Sequence, residues 1–302
     1  MNEILSQERH AYLIMCHCNF TQLMKMLLLL DDESNDIFIH IDKKVNSIPF
    51  DAIEGSLSKS KLVFVERTNV NWGGHSQIKA EIELLKKATE SHHVYYHLLS
   101  GMDLPLKTQE EIHQFFRDNN GKEYISISDN YDELIETRLI ERVQYYYPFQ
   151  NIVGRNNGIQ YRFLGKLNSG LVKLQRNLKY DRTSCKNIEF YKGANWFSIT
   201  HELARFVITK EKQIKSLFKY THCADELFLQ TIAMNSPFAS KIANDDLRLI
   251  DWNRGNPYVF HKEDYHDLTN SGRLFARKFD ERIDNDIIEM LVNYLISKEQ
   301  HI

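Results

Sequence analysis

The chain reads as an α/β protein with a parallel, Rossmann-like sheet in its first half. Two observations predict this. Short apolar runs alternate with helix-period segments across about the first 110 residues, which is the pattern of βαβ units. The run over 95–99 is also apolar and rich in aromatics, as a strand covered on both faces would be. Each element follows in order. Residues 11–16 form a strand and 21–30 have helical spacing. DIFIHI, over 36–41, is a second strand ending at Asp42, and LVFV, over 62–65, is a third. Ile78, Ile82 and Leu85 fall at i, i+4 and i+7 in an amphipathic helix over 77–88, with Ser76 placed to cap it. The strand over 95–99 is broken by Gly101, and Asp103 follows. Thr108 with Glu111 makes a capping box for a helix whose apolar face is Ile112, Phe115 and Phe116. No GxGxxG turn occurs, so no dinucleotide cofactor is expected.

After a segment over 124–128 the pattern becomes mixed α/β. A helix is expected over 131–142, then an aromatic run at 145–148. Residues 158–179 carry Leu164, Leu167, Leu171, Leu174 and Leu178 at helical spacing. From Arg155 to Lys192 there are nine Lys/Arg against two acids. A stripe that packs on the core with a solvated basic face is the reading favoured here. The other reading is that residues 162–179 meet an anionic membrane or a phosphate-bearing acceptor. Strands at 196–199 and 247–251, helices at 201–209, 224–234 and 285–297, and LFARKF over 274–279, followed by acids, complete the chain. No repeat or linker divides it. It is therefore expected to be one domain over 1–302, whose pattern changes at about residue 128.

Composition narrows the function. The 302 residues are 42% hydrophobic and 26% charged, with a formal net charge of -3, so nothing electrostatic points to nucleic acid. Cys16, Cys18, Cys185 and Cys223 are too scattered for a disulfide framework, and Cys16-His17-Cys18 lacks a second cluster with zinc spacing. Reduced thiols in a cytoplasmic protein are the expectation. MNEILSQERH has no basic signal region, and the longest apolar run, over 26–30, is too short to span a bilayer.

Several side chains could carry chemistry. Asp42 and Asp103 end strands, where open α/β sheets place ligands, although strand-terminal Asp is common. Asp225 and Glu226 open a helix. They either complement its dipole or place Glu226 as a general base. In LFARKF, Arg277 and Lys278 sit between apolar residues. At least one should point inward and be paired, either with a diphosphate or with Asp280 or Glu281.

The stretches AYLIMCH, IFIHID, NWGGHSQIKAEIELLKKA, YYHLLSGMDLPLKTQEEI, GANWFSIT, ADELFLQTI and SGRLFARKF together resemble the core-2/I-branching glycosyltransferase family. That family includes branching β-1,6-N-acetylglucosaminyltransferases and peptide O-xylosyltransferases, and the segment from Asn71 to Gly74 with FARKF is closer to the xylosyltransferase-like branch. The resemblance implies a GT-A-like fold, a UDP-sugar donor, a glycan or lipid-linked glycan acceptor and an inverting reaction without a divalent metal or other cofactor. It implies Glu226 as the base and Lys278 at the diphosphate, with Arg254 or Arg248 as its partner. Arg277, Asp42, Asp103 and His17 belong to the same donor-site set. Trp72, Gly73, Gly74, Trp196 and Asp225 would lie on the acceptor side. The animal members carry a membrane anchor and many cysteines, which this sequence does not show. The expectation is therefore a bacterial cytoplasmic enzyme of capsule, exopolysaccharide or lipopolysaccharide synthesis, peripheral at most on the membrane. The alternative is a non-catalytic nucleotide-sugar-binding or scaffold subunit that keeps the fold.

Overall fold

A computed structural model describes residues 8–184 and 186–300. Cys185 and the first residues of the N-terminal stretch discussed above lie outside them. The main sheet runs β3-β2-β1-β4-β7-β6. Its strands are β1 (His10–Cys16), β2 (Asn35–Ile41), β3 (Lys61–Phe64), β4 (Tyr95–Ser100), β6 (Tyr124–Ile125) and β7 (Phe197–Thr200). The first four are parallel, with Leu13 opposite both Phe38 and Leu98. β7 then runs antiparallel to β4, and β6 antiparallel to β7. A second sheet joins β5 (Asp103–Pro105), β9 (Phe275–Arg277) and β8 (Arg248–Ile250) in that order. This is the α/β, GT-A-like arrangement the resemblance implied.

Strand alternation puts β1's side chains into two cores. Tyr12 and Ile14 join Leu23, Leu27, Ile112, Phe116 and Leu291 on one face. Ala11 and Leu13 join Ile78, Ile82, Leu85, Leu203 and Phe228 on the other. Helices Phe20–Leu30, Gln109–Asp118 and Asp286–Glu299 cover the first face. His75–Ala88, His201–Thr209 and Phe228–Met234 cover the second. Each fully buried Leu or Ile contributes roughly 1.5–3 kcal/mol, which is why strands read from apolar runs are found where expected.

The Thr108 capping box is present. The Glu111 N–H donates to Thr108 Oγ1 at 3.3 Å, and the Thr108 N–H donates to Glu111 Oε2 at 3.0 Å. Ser76 does not cap its helix, which starts one residue earlier after Gly74. Its hydroxyl instead accepts from the Asn71 N–H at 2.8 Å and pins the preceding turn. The helix expected over 131–142 is two pieces, Tyr131–Glu136 and Glu141–Gln144, separated at Arg138, whose φ is +59°. The helix expected over 224–234 is likewise a 3-10 turn, Ala224–Glu226, followed by Phe228–Met234. Within LFARKF, β9 forms over Phe275–Arg277, and Asp103–Pro105 is a strand because β9 pairs with it.

The helix Ile159–Asn177 corrects the core-facing reading. Its buried side chain is Asn168, and the apolar stripe is exposed. No described helix is long and apolar enough to cross a membrane.

Candidate active site

Two groups of polar side chains gather at the carboxyl edge of the parallel strands. The first is cationic. Asp103 is fully buried in β5, opposite Arg277 in β9, and accepts from Arg277 Nη1 at 2.7 Å. Ser100, at the end of β4, supports both: its hydroxyl donates to Asp103 at 2.9 Å and accepts from Arg277. The Arg277 guanidinium lies over the Trp196 ring, 4.5 Å from its centroid. Asp103 thus serves as the carboxylate that holds Arg277 against Trp196. Asp280, the other partner weighed for these cations, binds Arg282 at 2.7 Å instead.

Lys278 is the next residue and is half-buried. Its ammonium makes no hydrogen bond or ion pair with the described residues. Burial, and then Arg277, hold its pKa below the ordinary lysine value. A partly desolvated ammonium beside a second cation favours an anion. His17, at the end of β1, belongs to this group. Loss of water around its ring lowers its pKa, Asp42 opposes that, and Lys278, Lys44 and Arg277 reinforce it. Asp42 is nearly buried past the end of β2. It accepts from the Lys44 N–H at 3.0 Å and lies 3.4 Å from Lys44 Nζ.

The second group surrounds Glu226. Its Oε2 accepts from Arg142 Nη1 at 2.7 Å, while Oε1 has no partner among the described residues. The side chain is 38% exposed, so one carboxylate oxygen is oriented and the other is open to an incoming group. Trp72 forms a wall here, edge-on to His222 at 5.9 Å and covered by the Arg155 guanidinium at 4.0 Å. Gly73 has a φ of +67°, and a Cβ on it would lie 3.0 Å from Cys223 Sγ. Its carbonyl accepts from the Cys223 N–H at 2.9 Å, so this close approach ties the Trp72 turn to the Glu226 turn. A Cβ on Gly74 would meet Asn151 Oδ1 at 2.7 Å.

Asp225 points inward. The residue is half-buried; its Oδ2 accepts from Gln77 Nε2 at 3.0 Å, while its buried Oδ1 has no partner among the described residues. Burial, and then Glu226, push its pKa up to about 7. Glu81 lies against it, fully buried, with Oε1 accepting from Asn195 Nδ2 at 3.1 Å and Oε2 unpartnered. Burial, and then Asp225, push Glu81 well above the usual carboxylate range. Asp225 is therefore tied to Gln77 and Glu81 beside Glu226, with part of the residue left exposed.

Residues 193–196 join the two groups. The Gly193 N–H donates to the Glu226 carbonyl at 3.0 Å, Asn195 binds Glu81, and Trp196 lies beneath Arg277. Four residues span at most about 14 Å, so this segment ties the turn that carries Glu226 to the Trp196 ring beneath Arg277.

Two expected residues are placed elsewhere. Arg248 is buried and donates to the carbonyls of Leu98 at 3.1 Å and Phe197 at 2.8 Å, and to Ser198 Oγ at 3.1 Å. Its charge is used to stitch β4 and β7 to β8, and it has no opening to a ligand. Arg254 is exposed but already engaged by Asp251 and by Asp264, the latter at 2.6 Å, and stacks 4.0 Å from the Tyr258 centroid. Arg142, His222, Gln77 and Glu81 were missed. Glu81 had a signal, since it shares the helical face of Ile78, Ile82 and Leu85; Arg142 had none. Among the described residues no three His, Cys, Asp or Glu side chains form a metal-binding group.

The model of the core-2/I-branching enzyme family matches residues 10–272. The chain belongs to that family. Rat xylosyltransferase 2 is 24% identical over 94% of the chain, and human xylosyltransferase 1 is 24% identical over 95%. This core-2/I-branching chain spans about a third of the length of those relatives, 33% and 30% respectively. The crystal structure of mouse xyloside xylosyltransferase 1 covers 89% of the chain, which covers 96% of that structure, at 9% identity. Its TM-score of 0.39 carries no argument.

Proposed function

We propose that this chain is an inverting glycosyltransferase that moves a sugar from a UDP-sugar to a hydroxyl of a glycan acceptor without a divalent metal. The observation that carries the reading is Lys278, an ammonium with no partner among the described residues, beside Arg277, with a carboxylate oxygen of Glu226 left open on a turn tied to the Trp196 segment beneath Arg277.

The chemistry follows from those groups. Glu226 takes the proton of the acceptor hydroxyl as its oxygen bonds to the anomeric carbon. The bond from that carbon to the diphosphate breaks on the opposite face, and its electron pair leaves with UDP. Lys278 and Arg277 neutralise the charge that develops there, the part a metal ion plays in other sites. Trp72 and Trp196 offer aromatic faces to sugar rings. Residues 1–128 would supply most of the donor side, and the remainder the base and acceptor side. Capsule, exopolysaccharide or lipopolysaccharide intermediates in a bacterial cytoplasm are the acceptors and setting that fit the family reading.

The test is Glu226→Gln, assayed for UDP release in EDTA and for UDP binding by calorimetry. Turnover should fall about a hundred- to ten-thousand-fold, the usual contribution of a positioned base, while UDP affinity stays within about twofold. Unchanged turnover would remove Glu226 from the mechanism. Turnover that EDTA abolishes and Mn²⁺ restores would overturn the metal-free part. A chain that binds UDP but transfers from no donor to any acceptor would favour the non-catalytic subunit.

A further inference from the structure

The helix Ile159–Asn177 presents an apolar stripe to solvent. Ile159, Phe163, Leu167, Leu171, Leu174 and Leu178 are between 38% and 88% exposed. On an ideal helix, at about 100° per residue, they fall within roughly a third of the circumference. Tyr161, Leu164, Gly165, Asn168 and Val172 occupy the face turned to the body. Arg162, Lys166, Lys173 and Arg176 fall between these two faces, along one flank of the stripe. The six exposed side chains uncover on the order of 600 Å², a patch larger than monomeric proteins ordinarily leave in water.

Charge says what covers it. Residues 155–179 contain six Lys/Arg and no Asp or Glu, in a chain whose net charge is -3. Of the flank cations, Arg176 is paired, with Glu141 at 2.6 Å, while Lys166 and Lys173 make no ion pair with the described residues. An apolar stripe edged by unpaired cations, on a helix lying along the surface, matches the interface of a bilayer with negatively charged headgroups. A protein partner would need its own acidic rim, whereas an anionic bilayer supplies both layers at once.

We propose that this helix docks the protein on an anionic lipid surface, with the stripe in the headgroup region and the basic flank on the lipid phosphates. An open groove of about 580 Å³ lies between this helix and the body, lined by Lys173, Val172, Tyr147, Gln150 and His222. His222 stands beside Glu226 and Trp72. Docking therefore sets one mouth of the catalytic cleft at the membrane, where a lipid-carried acceptor enters. The docking does not depend on which reaction the cleft performs.

The test is co-sedimentation of the full chain, without nucleotide sugar, with phosphatidylcholine vesicles that contain or lack phosphatidylglycerol. Phosphatidylglycerol should tighten binding at least about tenfold, and salt should reverse it. Phe163→Asp with Leu174→Asp should abolish binding. Arg162→Glu with Lys166→Glu keeps the stripe and should weaken binding roughly tenfold or more. All four positions are exposed, so melting temperature and UDP affinity should stay at the parent values. Equal binding to both vesicles, no binding to either, or unchanged binding by both variants would overturn the proposal. So would a stable dimer in solution that Phe163→Asp with Leu174→Asp converts to monomer, because the stripe would then belong to a second copy.

Discussion

Asp225→Asn tests the carboxyl pair beside Glu226. Asp225 is half-buried, keeps one side-chain hydrogen bond, from Gln77 at 3.0 Å, and leaves a buried Oδ1 unpartnered among the described residues. Burial, with Glu226 adding to it, raises its pKa from 3.8 to about 7. A carboxyl that binds its proton more tightly when folded gives stability that is fully present below the unfolded value. That stability is lost as pH rises through the folded value. The window is therefore about pH 4 to pH 7. A rise of roughly three units, at about 1.4 kcal/mol per unit, sets the loss at roughly 4 kcal/mol. An amide at this position does not titrate. Its oxygen can still accept from Gln77, and its NH₂ can donate towards Glu81, whose Oε2 has no partner. Thermal unfolding followed by circular dichroism should put the variant within about 2 °C of the parent at pH 5. At pH 8 it should be more stable by several degrees, since about 1 kcal/mol moves the melting temperature by roughly 2 °C in a chain of this size. Parallel curves from pH 5 to pH 8, or a variant less stable at pH 8, would refute the argument. Glu81→Gln provides a second check with the same sign, because Glu81 is also raised by burial.

Two further substitutions probe the cleft's supports. Asp103→Asn breaks the ion pair between the fully buried Asp103 and the partly exposed Arg277 and should destabilise the fold by up to roughly 3 kcal/mol while weakening UDP binding; melting and calorimetry on one sample read both, and an unchanged affinity would separate Arg277 from the donor. Gly193→Ala brings a Cβ to 1.7 Å from the Ser126 carbonyl oxygen, so the backbone that bonds to Glu226 must move by more than 1 Å. Such a displacement commonly costs about a hundredfold in rate, and UDP release at parent level from soluble variant would show that this segment does not position the base.

Much of the cleft was legible because its signals are local. Thr108 and Glu111 lie within one turn of each other, so the capping box is visible without the fold. Gly73-Gly74 and the acids of ADELFLQTI are adjacent in the chain, and the family motifs are contiguous. Glu81 was legible in principle, as an acid on an apolar helical face, but its meaning depended on Asp225, more than a hundred residues away.

The sequence by itself determined the four parallel strands, the helices between them, the family and the acids and cations worth weighing. These follow from apolar periodicity and short-range chemistry, which neighbouring residues specify. Only the tertiary structure decided which charge meets which. Arg277 is joined to Asp103 across 174 positions, Arg248 is spent on the carbonyls of two strands, Arg254 is held by Asp251 and Asp264, and Lys278 is left without a partner among the described residues. The stripe from Phe163 to Leu178 shows the same limit, because an apolar period of 3.6 is identical whether it faces a core or water. What covers a face, and what neutralises a charge, depends on surfaces brought together by folding, and no local pattern encodes them.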